Sequence, residues 1–351
     1  MSKPQKKRKN GKRIALIVLC VVLAVILAAI AAAAVYIDYL YNSMEYVPEN
    51  DSTVSPEIAS SMAQDEHVEI DPDSTDPIFN QDDITFAPDD TDHGGQGDHI
   101  VNIMLVGQDA REGEGTQRSD SMILVTFNKS TKTITLTSFM RDQYVQIPGY
   151  GATKLCHAYQ YGGMSLLNQT IYNHFGVEID GNLEVNFTGF EEIIDLLGGV
   201  EIELTSKEAS YLRTAGGWDV TKGTNKLPGD CALLYARLRS IDTDYNRAER
   251  QRKVLISIME AYRDQSYSKM ISLLNKLLPL VKTNMTKSEI TNYALELFPM
   301  VSDANIETMR IPVDGTFTPG YVRVYEGLDL WCQLNIDFEA NREVLNEIFA
   351  E

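Results

Sequence analysis

The sequence predicts an α/β fold, a central mixed β-sheet flanked by helices on both faces, preceded by one transmembrane helix. Three observations carry this. An apolar run of 24 residues without a charge lies near the N-terminus, and the 61 residues after it hold acids but no lysine or arginine. From about His99 onward, short strand-like apolar runs are interspersed with longer stretches of helical apolar spacing. Elements in that order bury their apolar faces by layering helices on a sheet.

Residues 1–13 form a basic tail with seven Lys or Arg and no acid, ahead of the apolar run Ile14 to Ile37. As a helix at 1.5 Å per residue the run reaches about 36 Å, enough for a hydrocarbon core of roughly 30 Å. The basic flank stays on the cytoplasmic side, so everything after Asp38 is expected outside the cell membrane. A cleaved signal peptide would have a shorter core, although Ala31 to Ala34 imitate a cleavage motif. The length of the run and the anchor-like Tyr36, Tyr39 and Tyr41 favour an uncleaved, single-pass type II anchor. Read this way, the tail is a topology signal and no nucleic-acid partner is expected. From Asp38 to Asp98 there are 17 acids with scattered Pro, Ser and Thr, which predicts an acidic, disordered, self-repelling stalk over 38–98.

The remaining residues, 99–351, suffice for one domain. Ile100–Val106 reads as a buried strand. Met122–Phe127 and Thr133–Ser138 flank a polar turn and read as a hairpin. Met164–Phe175 has helical spacing and ends at Gly176. Leu183–Phe187 is strand-like, and Thr188 starts a helix that Gly198-Gly199 terminates after Leu197. Val200–Leu204 predicts a strand and Pro228–Leu238 a helix with Pro in its first turn. Helices are expected from about Tyr245 to Asp264, over Lys269–Val281 and over Lys287–Phe298. Ile306–Pro312 and Tyr321–Tyr325 read as strands and Phe338–Phe349 as a closing helix. Three cysteines lie in this part, Cys156, Cys231 and Cys332, without metal-type spacing; their number permits one disulfide and one thiol.

The chemistry concentrates in two windows. Asp109 and Arg111, then Arg118 and Asp120, then Arg141 and Asp142, follow the first strand. Arg237, Arg239, Asp242, Asp244, Arg247, Arg250 and Gln251 lie about a hundred residues on. Singly, each has a plain reading: Asp244 as a helix N-cap, Arg141-Asp142 as a surface ion pair worth little. Together they crowd arginine into a domain with 33 acids against 24 Lys and Arg, which a solvated face would not do. Carboxylates suit a hard divalent cation and planar guanidiniums suit phosphate oxygens, so the pattern points to a metal-bound di- or polyphosphate. Arg247 and Gln251, at i and i+4, share one helical face. No G-x-x-x-x-G-K-[ST], H-E-x-x-H or G-x-S-x-G motif occurs, and beyond His99 the domain holds only His157 and His174, so a Ser-His-Asp triad is poorly supported. For His157 two readings stay open, lining the site or packing.

These residues resemble the LytR–CpsA–Psr family over about 99–265. The match runs through Gly107-x-Asp109-x-Arg111, Arg118-Ser-Asp120, Arg141-Asp142, Lys154-Leu-Cys-His-Ala-Tyr159 with Gly162-Gly163, Val185-Asn-Phe-x-Gly-Phe190, Asp195-x-Leu-Gly-Gly-Val200, Arg237-x-Arg239 and Asp242-x-Asp244-x-x-Arg247-x-x-Arg250-Gln251. Cys156 departs from the family, which usually has Asn there, and the likeness weakens beyond about residue 300. The resemblance implies an α-β-α phosphotransferase of the Gram-positive envelope. Such an enzyme moves teichoic acid, capsule or a related polysaccharide from a polyprenyl-pyrophosphate carrier onto peptidoglycan. It implies Mg²⁺ (or Mn²⁺) on Asp109 and Asp120, and pyrophosphate held by Arg118, Arg141, Arg237, Arg239, Arg247 and Gln251. Arg118 and Arg141 would also act in catalysis beside Asp244 as base, with the neighbouring arginines expected to lower the pKa of Asp244. The Leu- and Ile-rich helices from Val254 to Val281 could wall the lipid slot or be ordinary core. A polyprenyl-phosphate sensor without turnover, or a pyrophosphatase using water, would need much of the same site.

Overall fold

Seven strands form the central sheet, in the order 45–46, 282–283, 181–186, 100–108, 119–128, 133–139, 305–311. It is mixed: both edge strands and the 100–108/181–186 pair run parallel to their neighbours, the other pairs antiparallel. The computed structural model describes residues 35–48, 54–55, 58–59, 74–84, 86, 96–108, 117–263, 267–301, 304–325 and 328–350.

Period-two alternation divides the sheet residues between two faces. Met104, Val106, Met122 and Leu124 pack on one face with the helices Leu155–Phe175 and Phe338–Phe349. Ile123, Val125, Ile134 and Leu136 face the other way, onto Leu255, Ile256 and Met259 of helix Asp244–Arg263. Val101 and Ile103 join them there, against Leu297, Ile290 and Tyr293 of helix Lys287–Val301. Helices therefore cover both faces, as the apolar pattern predicts. A separate core gathers Ile194, Ile202, Leu212, Tyr235 and Val254 beside the sheet.

The predicted strands and helices form, with shifted ends, and several elements are additional. A hairpin, Tyr144–Ile147 with Gly151–Lys154, leads directly into a helix that begins at Leu155, nine residues before the expected Met164. Gly162 and Gly163 break the helical geometry there, so periodicity is legible only after them. Helix Ser206–Gly216 carries a Thr205/Glu208 capping box, and strands Gly223–Leu227 and Leu328–Leu334 pair with Val200–Leu204 and Thr318–Tyr325. The region past residue 300, where the family likeness weakens, supplies an edge strand of the central sheet.

The stalk expected over 38–98 needs correction wherever it is described. Glu45 and Tyr46 pair with Lys282 and Thr283, and Ile78–Asn80 pairs with Tyr321–Arg323. Ala59 is buried in the main core, and Trp331 Nε1 donates to Asp76 Oδ2 at 3.0 Å. Backbone pairing at sheet edges and isolated apolar anchors hold these pieces, and neither registers in a composition average. Residues 1–34, with the tail and most of the Ile14–Ile37 run, lie outside the described residues. Among the described residues no helix is long and apolar enough to cross a membrane. Residues 35–42 are helical, and Tyr36 donates to Asn275 Oδ1 at 3.2 Å. Cys156, Cys231 and Cys332 are buried, and no disulfide joins any two of them.

Candidate functional site

Strand pairing brings the first window to one end of the sheet. Ser119–Asn128 runs antiparallel to both Ile100–Gln108 and Thr133–Phe139, so Asp120 and Arg141 meet at its rim. Gly229 seats the second window: its N–H donates to Asp195 Oδ1 at 2.7 Å, and a Cβ there would lie 2.3 Å from the Glu191 carbonyl oxygen. That close approach packs helix Gly229–Ala236 on helix Phe187–Leu197 and delivers Arg237 and Arg239 to the same rim.

The result is a row of alternating charge. Lys154 Nζ lies 2.9 Å from Asp142 Oδ1, which is 3.5 Å from Arg141 Nε. Arg141 donates to Asp120, and Arg239 bridges from Asp120 (3.7 Å) to Asp244 (3.4 Å). Arg247 closes the row, its Nη2 2.8 Å from Asp244 Oδ1, while its buried Nε has no hydrogen-bond partner among the described residues. Four cations alternate with three carboxylates. Arg237 stands at the edge, its guanidinium 4.2 Å over the Phe187 ring. Arg118 is half-buried immediately before Ser119. Gln251, one turn beyond Arg247, lines the cavity described next.

That cavity, of about 410 Å³, opens at the row and runs between the sheet and the helices Phe187–Leu197, Gly229–Ala236 and Asp244–Arg263. Leu183, Val185, Phe190, Leu255 and Ile258 are among its walls, with Asp120, Arg237, Arg239, Arg247 and Gln251 at its polar end. Of the apolar residues in 254–281, Leu255 and Ile258 therefore line the cavity, whereas Val254 is fully buried core.

Burial pushes the Asp244 carboxyl up to about 6. Asp142 and Asp120 push in the same direction, and Arg239 and Arg141 only partly offset them. The expectation that neighbouring arginines lower it is thus overturned: loss of hydration outweighs the guanidiniums. Asp244 is the first residue of its helix.

Among the described residues no three His, Cys, Asp or Glu converge in a metal cluster, and Asp109 and Arg111 lie outside the described residues. Asp120 alone still suits Mg²⁺, which takes one or two carboxylates and completes its shell with phosphates and water. His157 is buried, its Nδ1 2.8 Å from Thr153 Oγ1, and stacks on Tyr161, which makes it a packing residue.

Some supports show their role only in the packing, even where the motif names the residue. Arg250 is buried against Glu208 (2.7 Å) and Asp242 and donates to the Leu238 carbonyl at 2.8 Å, bracing the loop that carries Arg239. Arg252 Nη1 donates to Ser138 Oγ at 2.7 Å. Lys154 and Phe187 fall inside the family-like motifs, yet only packing shows that they flank Asp142 and Arg237.

The LytR_cpsA_psr family model matches residues 52–333. The chain belongs to the LytR–CpsA–Psr family. The polyisoprenyl-teichoic acid–peptidoglycan teichoic acid transferase TagT of Bacillus subtilis is 34% identical over 223 residues, 61% of this chain and 68% of that one. The TagU enzyme of the same description from Oceanobacillus iheyensis is 35% identical over 255 residues, covering 69% and 73%. Among solved LytR–CpsA–Psr structures, TagT with bound octaprenyl pyrophosphate lipid superposes with TM-score 0.54 at 28% identity, over 72% of this chain and 90% of that one. TagT bound to LIIa-WTA gives 0.56 at 29% identity, with the same coverage.

Proposed function

We propose that this chain transfers a glycopolymer, teichoic acid or a related polysaccharide, from a polyprenyl-pyrophosphate carrier to peptidoglycan. The observation that carries the reading is the junction of an apolar cavity with a row of arginines. A prenyl chain needs the first, its pyrophosphate the second, and the two must adjoin. The similarity to the teichoic acid transferases TagT and TagU, and the octaprenyl pyrophosphate lipid bound to TagT, support it.

In this reading the prenyl chain lies along Leu183, Val185, Leu255 and Ile258. Arg118, Arg141, Arg237, Arg239, Arg247 and Gln251 grip the pyrophosphate. Planar guanidiniums suit this because they present paired donors to phosphate oxygens. The acceptor sugar hydroxyl attacks the phosphorus nearer the polymer. A P–O bond to that phosphorus forms, the P–O bond to the prenyl phosphate breaks, and prenyl phosphate leaves with the electron pair. Asp244 accepts the hydroxyl proton, and a carboxyl held near 6 is better suited to that than an ordinary aspartate. The arginines spread the charge that develops on the leaving phosphate, which is the main demand of phosphoryl transfer. Mg²⁺ (or Mn²⁺), held by Asp120 and Asp109 with substrate oxygens, would add charge neutralisation. Ile14–Ile37 serves as a single-pass type II anchor, with the basic tail in the cytoplasm and the folded domain outside.

The test incubates the purified full-length chain in detergent with a defined prenyl-pyrophosphoryl oligosaccharide, with and without peptidoglycan oligomer. Acceptor-dependent release of prenyl phosphate and a new glycan phosphodiester are expected. Release without acceptor would make the protein a pyrophosphatase, and tight binding without turnover a sensor. Either outcome overturns the proposal.

A further inference from the structure

On strand Gly181–Asn186, Leu183 and Val185 line the cavity, while the residue between them is a glutamate turned to the opposite face of the sheet. Glu184 is 5% exposed, in a layer it shares with Met104, Val106, the buried Asn182 and the helix Leu155–Phe175. A carboxylate in such a layer is costly unless both oxygens are engaged. Here they are. Gln108 Nε2 donates to one oxygen and the Tyr159 hydroxyl to the other, with Lys282 Nζ 3.7 Å from the first. Burial and Glu184 together raise the Tyr159 pKa, so the phenol stays protonated and remains a donor.

The amide of Gln108 has two ends. With its NH₂ held inward by Glu184, its carbonyl oxygen points to the Gln117 N–H and accepts from it at 3.1 Å. Gln117 begins the segment that contributes Arg118 and Asp120 to the site. We infer that Glu184 is a positioning residue: acting through Gln108, it holds the Gln117–Asp120 segment in register so that Arg118 meets the pyrophosphate. The inference rests on the lipid-pyrophosphate reading above. Its logic is one of polarity. Only an acceptor at position 184 forces the amide of Gln108 to offer its oxygen to Gln117, and an apolar residue there would leave the amide unoriented and a buried donor unmet.

A double-mutant cycle separates positioning from general stability. Octaprenyl pyrophosphate is titrated into the full-length chain in detergent, as wild type, Glu184→Met, Arg118→Ala and the double variant, with thermal unfolding of each. Gln108→Met is measured alongside; it cuts the link while leaving Glu184 with Tyr159, and serves should Glu184→Met fail to fold. Each of Glu184→Met and Gln108→Met is expected to weaken binding about tenfold, the scale of one charge-assisted hydrogen bond. In the Arg118→Ala background the same changes are expected to cost nothing further. Effects that multiply with Arg118→Ala, or wild-type affinity in folded Gln108→Met, would overturn the inference while leaving the transferase reading intact. A wild type that does not bind the probe would instead defeat that reading, and the inference with it.

Discussion

Asp244→Asn gives the most informative perturbation, because it moves activity and stability in opposite directions. Asn keeps the shape of the carboxyl and mimics its protonated form. Loss of a general base costs about two to four decades in rate, or about 3–5 kcal/mol of barrier at about 1.4 kcal/mol per decade. Stability follows from the raised pKa. An aspartate at 3.8 when unfolded and at about 6 when folded binds its proton more tightly in the folded state. Fold stability therefore falls as pH rises between those two values, and above about 6 the ionised group costs up to about 3 kcal/mol. The Asn variant lacks that ionisation, so at pH 8 it should melt higher than wild type, while at pH 3.5 the two should converge. Transfer is measured as acceptor-dependent release of prenyl phosphate, and stability by thermal unfolding of the full-length chain at both pH values. Wild-type transfer should also decline as pH drops through about 6. Two results would refute the reasoning: transfer surviving in Asp244→Asn would put the base elsewhere, and a lower melting point at pH 8 would mean that the pairs with Arg247 and Arg239 outweigh the burial cost.

Three further outcomes are expected. Arg237→Lys, Arg239→Lys and Arg247→Lys should each weaken octaprenyl pyrophosphate binding by roughly ten- to a hundredfold, since an ammonium cannot reproduce the paired donors of a guanidinium; near-wild-type titrations would show that charge alone suffices. Ile258→Trp, which places an indole in the 410 Å³ cavity, should displace about two methylenes of prenyl chain and cost about tenfold in lipid affinity, leaving inhibition by inorganic pyrophosphate unchanged; equal loss of both would show that the cavity does not hold the chain. Protease added to intact protoplasts should remove the folded domain from the membrane, and full protection of that domain would contradict the type II topology.

By itself the sequence determined the layered α/β class, because period-two and period-3.6 apolar patterns survive in any single window wide enough to show them. It also named polar and charged residues that the fold brings together: Asp120, Arg141, Arg237, Arg239, Asp244, Arg247 and Gln251 all reach one rim in space. What it could not contain is their order along the row, because strand pairing and the close approach at Gly229 decide which arginine stands between which carboxylates. The direction of the Asp244 shift likewise depended on tertiary structure. Sequence neighbours announce the arginines, whereas the loss of hydration comes from residues folded over the site. The same holds for the acidic 38–98 segment, whose described pieces are held by edge pairing with strands more than two hundred residues away. Backbone hydrogen bonds of that kind are nearly indifferent to side-chain identity, so composition carries no trace of them. Glu184 shows the same limit from within the sheet. A glutamate between two apolar cavity residues reads as an exposed alternation, and only the helix packed on the opposite face turns it into a buried acceptor.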